Sequence, residues 1–341
     1  MDRGKRHGRR RTNPAGESTP SQEIIAAIDL GTNNCRLLIA APDHGALRIV
    51  DSFSRIVRLG ERMAFTGILS DAAMNRTIAA LKICAERIAL HRTTRLRAVA
   101  TAACRLASNA MVLVERASQE AGIKLDVVTA EEEARLAALG CAPLIGAHYD
   151  GALVFDIGGG STEAIWLKRP THQENGAKAS KPKLVHFCSV PVGVMTLAES
   201  QGDSGYAHMR DHMLARFSAV RREMDEFGPF EAERYHLLGT SGTVTTLAGI
   251  ALNLPRYIRA KVDGTWHDCE NMRTVMERLV GMDQTTRMAL GCVGEERAEL
   301  ILPGCAIYNA IQTLWPCARL RVADRGLREG ILRDLMKDMK H

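Results

Sequence analysis

Asp29 and Asp156 each close a short apolar run and open a turn whose residues could hold phosphate. The first stretch reads Ile28-Asp29-Leu30-Gly31-Thr32-Asn33-Asn34. The second, 127 residues later, reads Asp156-Ile157-Gly158-Gly159-Gly160-Ser161-Thr162-Glu163. Glycine carries no Cβ, so successive backbone N–H groups in such turns can converge on an anion. Gly158, Gly159, Gly160 and Ser161 offer consecutive donors plus a hydroxyl, and Gly31, Thr32 and Asn33 offer a second set. Carboxylates at the strand ends, Asp29 and Asp156, suit Mg²⁺ bound directly or through water, and Glu163 across the second turn could complete that set. A single Gly-Gly-Gly-Ser run is weak evidence. Two Asp-x-Gly turns, each followed by an apolar strand, point to a phosphate cleft.

The elements that must position these turns can be read from periodicity. Residues 24–28 and 35–41 read as strands flanking the first turn, with a third strand over 46–58. Met74, Ile78, Leu81, Ala85 and Ile88 fall at helical spacing behind Ser70 as N-cap. A strand over 96–103, a helix capped by Asn109 and running to about 121, a strand over 125–129 and a helix opening at Glu131 follow. The pattern then recurs: strands around 152–155 and 164–167 flank the second turn. After these come a polar hairpin loop over 168–183, a strand over 184–191 and a helix presenting Met213, Phe217, Val220 and Met224. A third turn, Leu238 to Thr243, opens a helix near Thr245. Two βββαβα-like halves indicate an internal duplication with a cleft between mixed sheets.

Composition bounds the alternatives. A chain of 341 residues has length for about two domains, and 46% hydrophobic with 25% charged residues is globular composition. No apolar run reaches the length of a membrane span, so no membrane partner is expected. Aromatics at 4% are too sparse for base-stacking platforms, so no nucleic-acid partner is expected. Most of the net charge of +6 sits in residues 1–13, where Arg3, Lys5, Arg6, Arg9, Arg10 and Arg11 face only Asp2. Residues 1–23 therefore read as a disordered basic tail, and the folded part as nearly neutral. Nine scattered cysteines without a CxxC pair suggest reduced, ordinarily buried thiols and a cytoplasmic setting.

The two turns resemble the paired phosphate loops of the actin, heat-shock chaperone and sugar kinase superfamily. Within it the sequence most resembles the exopolyphosphatase/guanosine pentaphosphate phosphohydrolase family. The supporting motifs are Ala100-Thr101-Ala102-Ala103-Cys104-Arg105, Glu132-Glu133-Ala134-Arg135-Leu136, Pro191-Val192-Gly193, Gly239-Thr240-Ser241-Gly242-Thr243, Arg297-Ala298-Glu299 with Pro303-Gly304, and Asp324 to Gly330. They run in the family's order over about 24–332.

The resemblance implies a duplicated actin-like ATPase (ribonuclease H-like) α/β fold. Residues 24–139 with 327–341 would form one domain and 140–326 the other, a short two-domain form that should take short polymers as well as long ones. It implies Mg²⁺-dependent hydrolysis of terminal phosphoanhydrides, in inorganic polyphosphate or in guanosine pentaphosphate, and by analogy a homodimer. Gly158, Gly159, Gly160 and Ser161 match the loop on the terminal phosphoryl group, with Asp29, Thr32 and Asn33 opposite. Asp156 and Glu163 match the Mg²⁺-associated acids, and Arg105 a cleft arginine. Glu133 matches the glutamate that activates water, with Glu132 as the second candidate. Read without the family, Glu131 to Glu133 are acids favoured at a helix N-terminus. A competing reading of another class is an actin-like nucleotide-binding regulatory switch.

Overall fold

The computed structural model describes residues 23–170, 182–201 and 204–339. All but Glu23 of the expected basic tail, and the centre of the expected polar loop, lie outside the described residues.

Two mixed sheets carry the fold. The first contains β1 (Ile25–Leu30), β2 (Asn34–Asp43), β3 (Ala46–Ile56), β4 (Arg95–Ala100) and β5 (Leu125–Val127), in the order β3-β2-β1-β4-β5. The second contains β6 (Gly151–Ile157), β7 (Thr162–Lys168), β8 (Lys183–Val190), β9 (Tyr235–Thr240), β10 (Trp266–Asp268) and β11 (Arg319–Ala323), in the order β10-β11-β9-β6-β7-β8. Read from the third strand of each half, the two orders coincide, and β10 is an added antiparallel edge. In both halves a three-strand antiparallel meander is extended by strands parallel to its first member. This repeated order is the duplicated actin-like α/β topology.

The central strands β1 and β6 are buried on both faces, which is why they read as unbroken apolar runs. Polar residues enter only at their ends, and there the ladder fixes the partners: Asp29 lies opposite Arg36 on β2, and Asp156 opposite Glu163 on β7. Helices cover the outer faces. The helix Asp71–Leu90 starts where expected, with Ser70 Oγ accepting from the Ala73 amide at 3.2 Å.

Three local expectations are corrected. Asn109 precedes the helix Ala110–Ala121 but does not cap it; its amide group instead clasps the Leu69 backbone, accepting from N–H at 2.8 Å and donating to the carbonyl at 2.9 Å. The strand expected to reach 103 ends at Ala100. Thr101 still donates to Leu30 O at 3.1 Å, and the chain then winds into the helix Ala102–Leu106, carrying Arg105 out of the sheet. The strand expected to reach 129 ends at Val127, because Thr129 is taken as N-cap of the helix Ala130–Cys141, accepting from Glu132 N at 3.2 Å.

That helix and the last one, Leu327–Asp338, join the two halves. Ala134, Ala137 and Cys141 pack with Ala152, Val154 and Ile165 of the second sheet. Leu136 on another face packs with Leu327, Ile331 and Leu332 over Ile25, Ala27 and Leu38 of the first. All nine cysteines are free thiols; eight are buried and Cys188 is half-buried. Among the described residues no helix is long and apolar enough to cross a membrane.

Candidate active site

The two glycine turns close in the same way. Gly31 N–H donates to Asn34 O at 2.9 Å, and Gly158 N–H donates to Ser161 O at 2.9 Å. They also meet: a methyl group added at Gly159 would lie 3.1 Å from Thr32 Cβ and 3.2 Å from Asn33 N, and one at Gly160 would lie 2.6 Å from Thr32 Oγ1. Glycine is favoured at both positions by this close approach rather than by an unusual dihedral. The turns are braced from behind. The Asn33 carbonyl accepts from Val57 and Arg58, and the Gly158 and Gly159 carbonyls accept from Val194 and Met195 at the start of the helix Val194–Gln201. Carbonyls are thus consumed, whereas among the described residues the amides of Thr32, Asn33, Gly159 and Gly160 donate to no protein acceptor. Free amides beside a groove make a nest for an anion.

The groove is a cleft of about 550 Å³, lined by Gly31, Thr32 and Asn33 from one half and by Gly158, Gly159, Gly160 and Ser161 from the other. Asp29, Asp156, Glu163 and Glu133 line it too. The acidic and turn residues singled out from the sequence reach this cleft except Glu132, while Arg105, expected as a cleft arginine, is not on its wall and meets it through Glu133. The Glu132 carboxylate turns outward into an ion network with Arg97 at 2.9 Å and Arg135 at 2.6 Å. Glu133, one residue on, faces inward. A helix rotates about 100° per residue, so adjacent side chains cannot share a face.

Four carboxylates in one buried groove repel each other. Burial, then the Glu163 carboxylate, push Glu133 up to about 8 against the pull of Arg105. Burial and Glu163 push Asp156 up to about 7 against Arg36, and burial raises Asp29 against Arg36 and Arg328. Glu163 is raised by burial as well, although it accepts from Ser161 Oγ at 2.7 Å and Ser189 Oγ at 2.9 Å. A cation bound among them would offset both the burial and the mutual repulsion. The donor set fits a hard divalent cation: the acidic oxygens are joined by Asn33 Oδ1, which is buried without a hydrogen-bond partner. No three of these acids bring oxygens within 4.8 Å of one another. An ion held among them would draw part of its shell from water or phosphate oxygens.

Arg105 NH1 donates to Glu133 Oε2 at 2.9 Å and to the Val128 carbonyl at 3.0 Å. The second bond ties the guanidinium to the segment leading into the Glu133 helix, so its position is set by two elements at once.

Sequence reasoning missed Arg36, Ser189 and Thr101 as site residues. Arg36 and Thr101 line the cleft, and Ser189 holds Glu163. Arg36 had a legible signal: it stands seven residues after Asp29, as Glu163 does after Asp156. Ser189 had none, because only the β7–β8 register sets it beside Glu163.

Residues 38–339 match the Ppx/GppA phosphatase family. The chain is 31% identical over 299 residues to Exopolyphosphatase 2 of Mycobacterium tuberculosis, covering 84% of this chain and 89% of that protein. A crystal structure of the Aquifex aeolicus Ppx/GppA family member superposes with a TM-score of 0.74 at 28% identity, over 94% of this chain and 99% of the other. An exopolyphosphatase-like protein of known structure superposes with a TM-score of 0.80 at 25% identity, again over 94% and 99%.

Proposed function

The chain belongs to the Ppx/GppA phosphatase family, and on that premise we propose that it is a Mg²⁺-dependent exopolyphosphatase releasing terminal orthophosphate from inorganic polyphosphate. The observation that carries this reading is Glu133, paired at 2.9 Å with Arg105, in one groove with the free amides of both turns. Those amides hold the terminal phosphoryl oxygens, and the braced turns need no rearrangement to do so. Glu133, when ionised, orients a water and takes its proton. The water oxygen bonds to phosphorus, the bridging P–O bond breaks, and orthophosphate leaves a chain one unit shorter. Arg105 offsets the charge on the groups in flight and keeps Glu133 within reach of the water. Asp156, Glu163 and Asp29 would hold Mg²⁺, which when bound neutralises charge on the phosphoryl oxygens.

The choice of inorganic polymer over a nucleotide rests on the walls of the cleft. None of the residues lining the cleft is aromatic, and Tyr257 in the small pocket that adjoins it is already engaged, its hydroxyl by Asp324 and its ring by Arg297. Guanosine pentaphosphate is the second substrate to test. Phosphate release from polyphosphate, guanosine pentaphosphate and ATP, measured side by side with Mg²⁺, decides the matter. Fastest turnover of polyphosphate is expected; tight ATP binding with no release from polyphosphate would sink the proposal in favour of a nucleotide switch.

A further inference from the structure

One residue along β8 from Ser189, on the opposite face of the sheet, one group of donors has no part in hydrolysis. His186 and Cys188 stand two residues apart on β8, so they share one face of the strand. Glu223 reaches the same point from the helix Gly205–Asp225 that packs on β8. Cys188 Sγ lies 3.0 Å from Glu223 Oε2, and His186 Nε2 lies 3.1 Å from Glu223 Oε1. The three donor atoms all fall within 4.8 Å of one another, and no other His, Cys, Asp and Glu group among the described residues does so.

Two details mark this as more than a surface ion pair. His186 Nε2 is buried yet makes no hydrogen bond, since its approach to Glu223 has poor geometry. Phe227 stacks on the imidazole, ring centroids 4.3 Å apart and planes 23° apart, which fixes the direction of that nitrogen. Cys188 is also the one cysteine of nine that is not fully buried. A tetrahedral ion with bonds of about 2.0–2.3 Å needs ligand atoms roughly 3.3–3.8 Å apart. The two spacings to Glu223 fall a few tenths of an ångström short of that and all three atoms lie within 4.8 Å of one another, so small side-chain adjustments suffice.

We propose that His186, Cys188 and Glu223 form a site for Zn²⁺ or a similar borderline-soft divalent ion, with a fourth position open to water. One nitrogen, one sulfur and one carboxylate oxygen select such an ion over Mg²⁺, for which the all-oxygen cleft is suited. Without the ion, burial and Glu223 push the Cys188 thiol up to about 12, and it donates its proton to that carboxylate. Binding breaks the S–H bond, releases the proton to solvent and forms the sulfur–metal bond. The ion would staple the edge strand β8 to its covering helix. Ser189, the next residue along, is the one whose hydroxyl holds Glu163.

The test uses the intact chain with Zn²⁺ and, as a spectroscopic probe, Co²⁺. Expected are a Zn²⁺-dependent rise in melting temperature and, with Co²⁺, a thiolate-to-metal charge-transfer band. No cysteine lines the cleft, so metal bound there cannot give that band. Cys188→Ser should abolish it. His186→Ala and Glu223→Gln should each weaken Zn²⁺ binding by at least the roughly 10- to 100-fold that even outer-shell losses cost. Co²⁺ binding without the band in the unaltered protein, or unchanged Zn²⁺ affinity in His186→Ala and Glu223→Gln, would overturn the proposal. Those two variants decide it even if Cys188→Ser does not fold.

Discussion

Glu163 stands opposite Asp156 in the second half of the molecule where Arg36 stands opposite Asp29 in the first. The duplication thus keeps the backbone and changes the charge. One arm of the cleft sets an acid against a cation, and the other sets two acids side by side, with serine hydroxyls as the hydrogen-bond donors to Glu163. An asymmetric site follows from a symmetric fold, with its excess negative charge on the Gly158–Ser161 side.

Replacing Glu133 with Gln should remove phosphate release while leaving the fold intact. General-base assistance is worth about 10²–10⁴ in rate, so turnover should fall by that factor or more. The neutral amide still fits beside Arg105, and it relieves repulsion from Glu163, so the melting temperature should hold or rise. Unchanged turnover in a phosphate-release assay would remove Glu133 from the mechanism. The outward-facing Glu132, replaced in the same way, should lose little activity.

Arg105→Ala should lower turnover by about 10²–10³, the cost of losing one charge-stabilising donor. It should also move the pH dependence. Arg105 is the cation that favours ionised Glu133. Without it the carboxyl holds its proton to higher pH, so the acidic limb of the pH–rate profile shifts to the alkaline side. A variant that loses rate with its profile unmoved would contradict the pairing.

Stability should depend on pH and on divalent cation together. Burial and mutual repulsion raise Asp156 to about 7 and Glu133 to about 8 in the native state, above ordinary carboxylate values. Between about pH 4 and those values the native state binds more protons than the unfolded chain, so native stability falls as pH rises through that window. The penalty is complete above about 8, where the groove carries its full charge. Melting temperature without metal should therefore drop by several degrees from about pH 5 to about pH 9. Mg²⁺ should restore more of it at the alkaline end than at the acidic end. A Mg²⁺ effect independent of pH, in melts run across that range, would argue against the carboxylate groove as the cation site.

Much of this was written in the sequence because the duplication is short-range. Each Asp-x-Gly turn sits between two apolar strands, and a turn so flanked can only be a hairpin tip at a sheet end. Glu133 against Glu132 was different. Both belong to one acidic run, and the choice depends on helix phase, which Thr129 sets by capping the helix one residue earlier than the acids suggest. Asn109 misled for a related reason. A residue with capping chemistry was claimed by Leu69, forty positions away, and local preference carries no information about such a partner. Ser189 and the outward turn of Cys188 likewise come from a strand register that only the assembled sheet fixes.

The position of Glu133 should also be sensitive to a residue that never meets the substrate. Gly330 in the last helix lies against the Leu136 carbonyl in the helix that carries Glu133, and Gly140 of that helix lies against the Gly326 carbonyl in return. Two backbones in contact leave no room for a methyl group. In an exposed helix Gly→Ala would gain about 1 kcal/mol of helix propensity. Here the added Cβ of Gly330→Ala would overlap a backbone oxygen, which cannot swing aside as a side chain can. Overpacking of this kind costs about 1–3 kcal/mol, so the clash outweighs the gain and the helices must part. The melting temperature should fall by a few degrees, at roughly 2–4 °C per kcal/mol. Because Glu133 rides on the displaced helix, kcat should fall more than KM rises. A destabilised variant with native kcat would show that displacement of the helix does not reach the site, and one with native stability that the two backbones accommodate the methyl group.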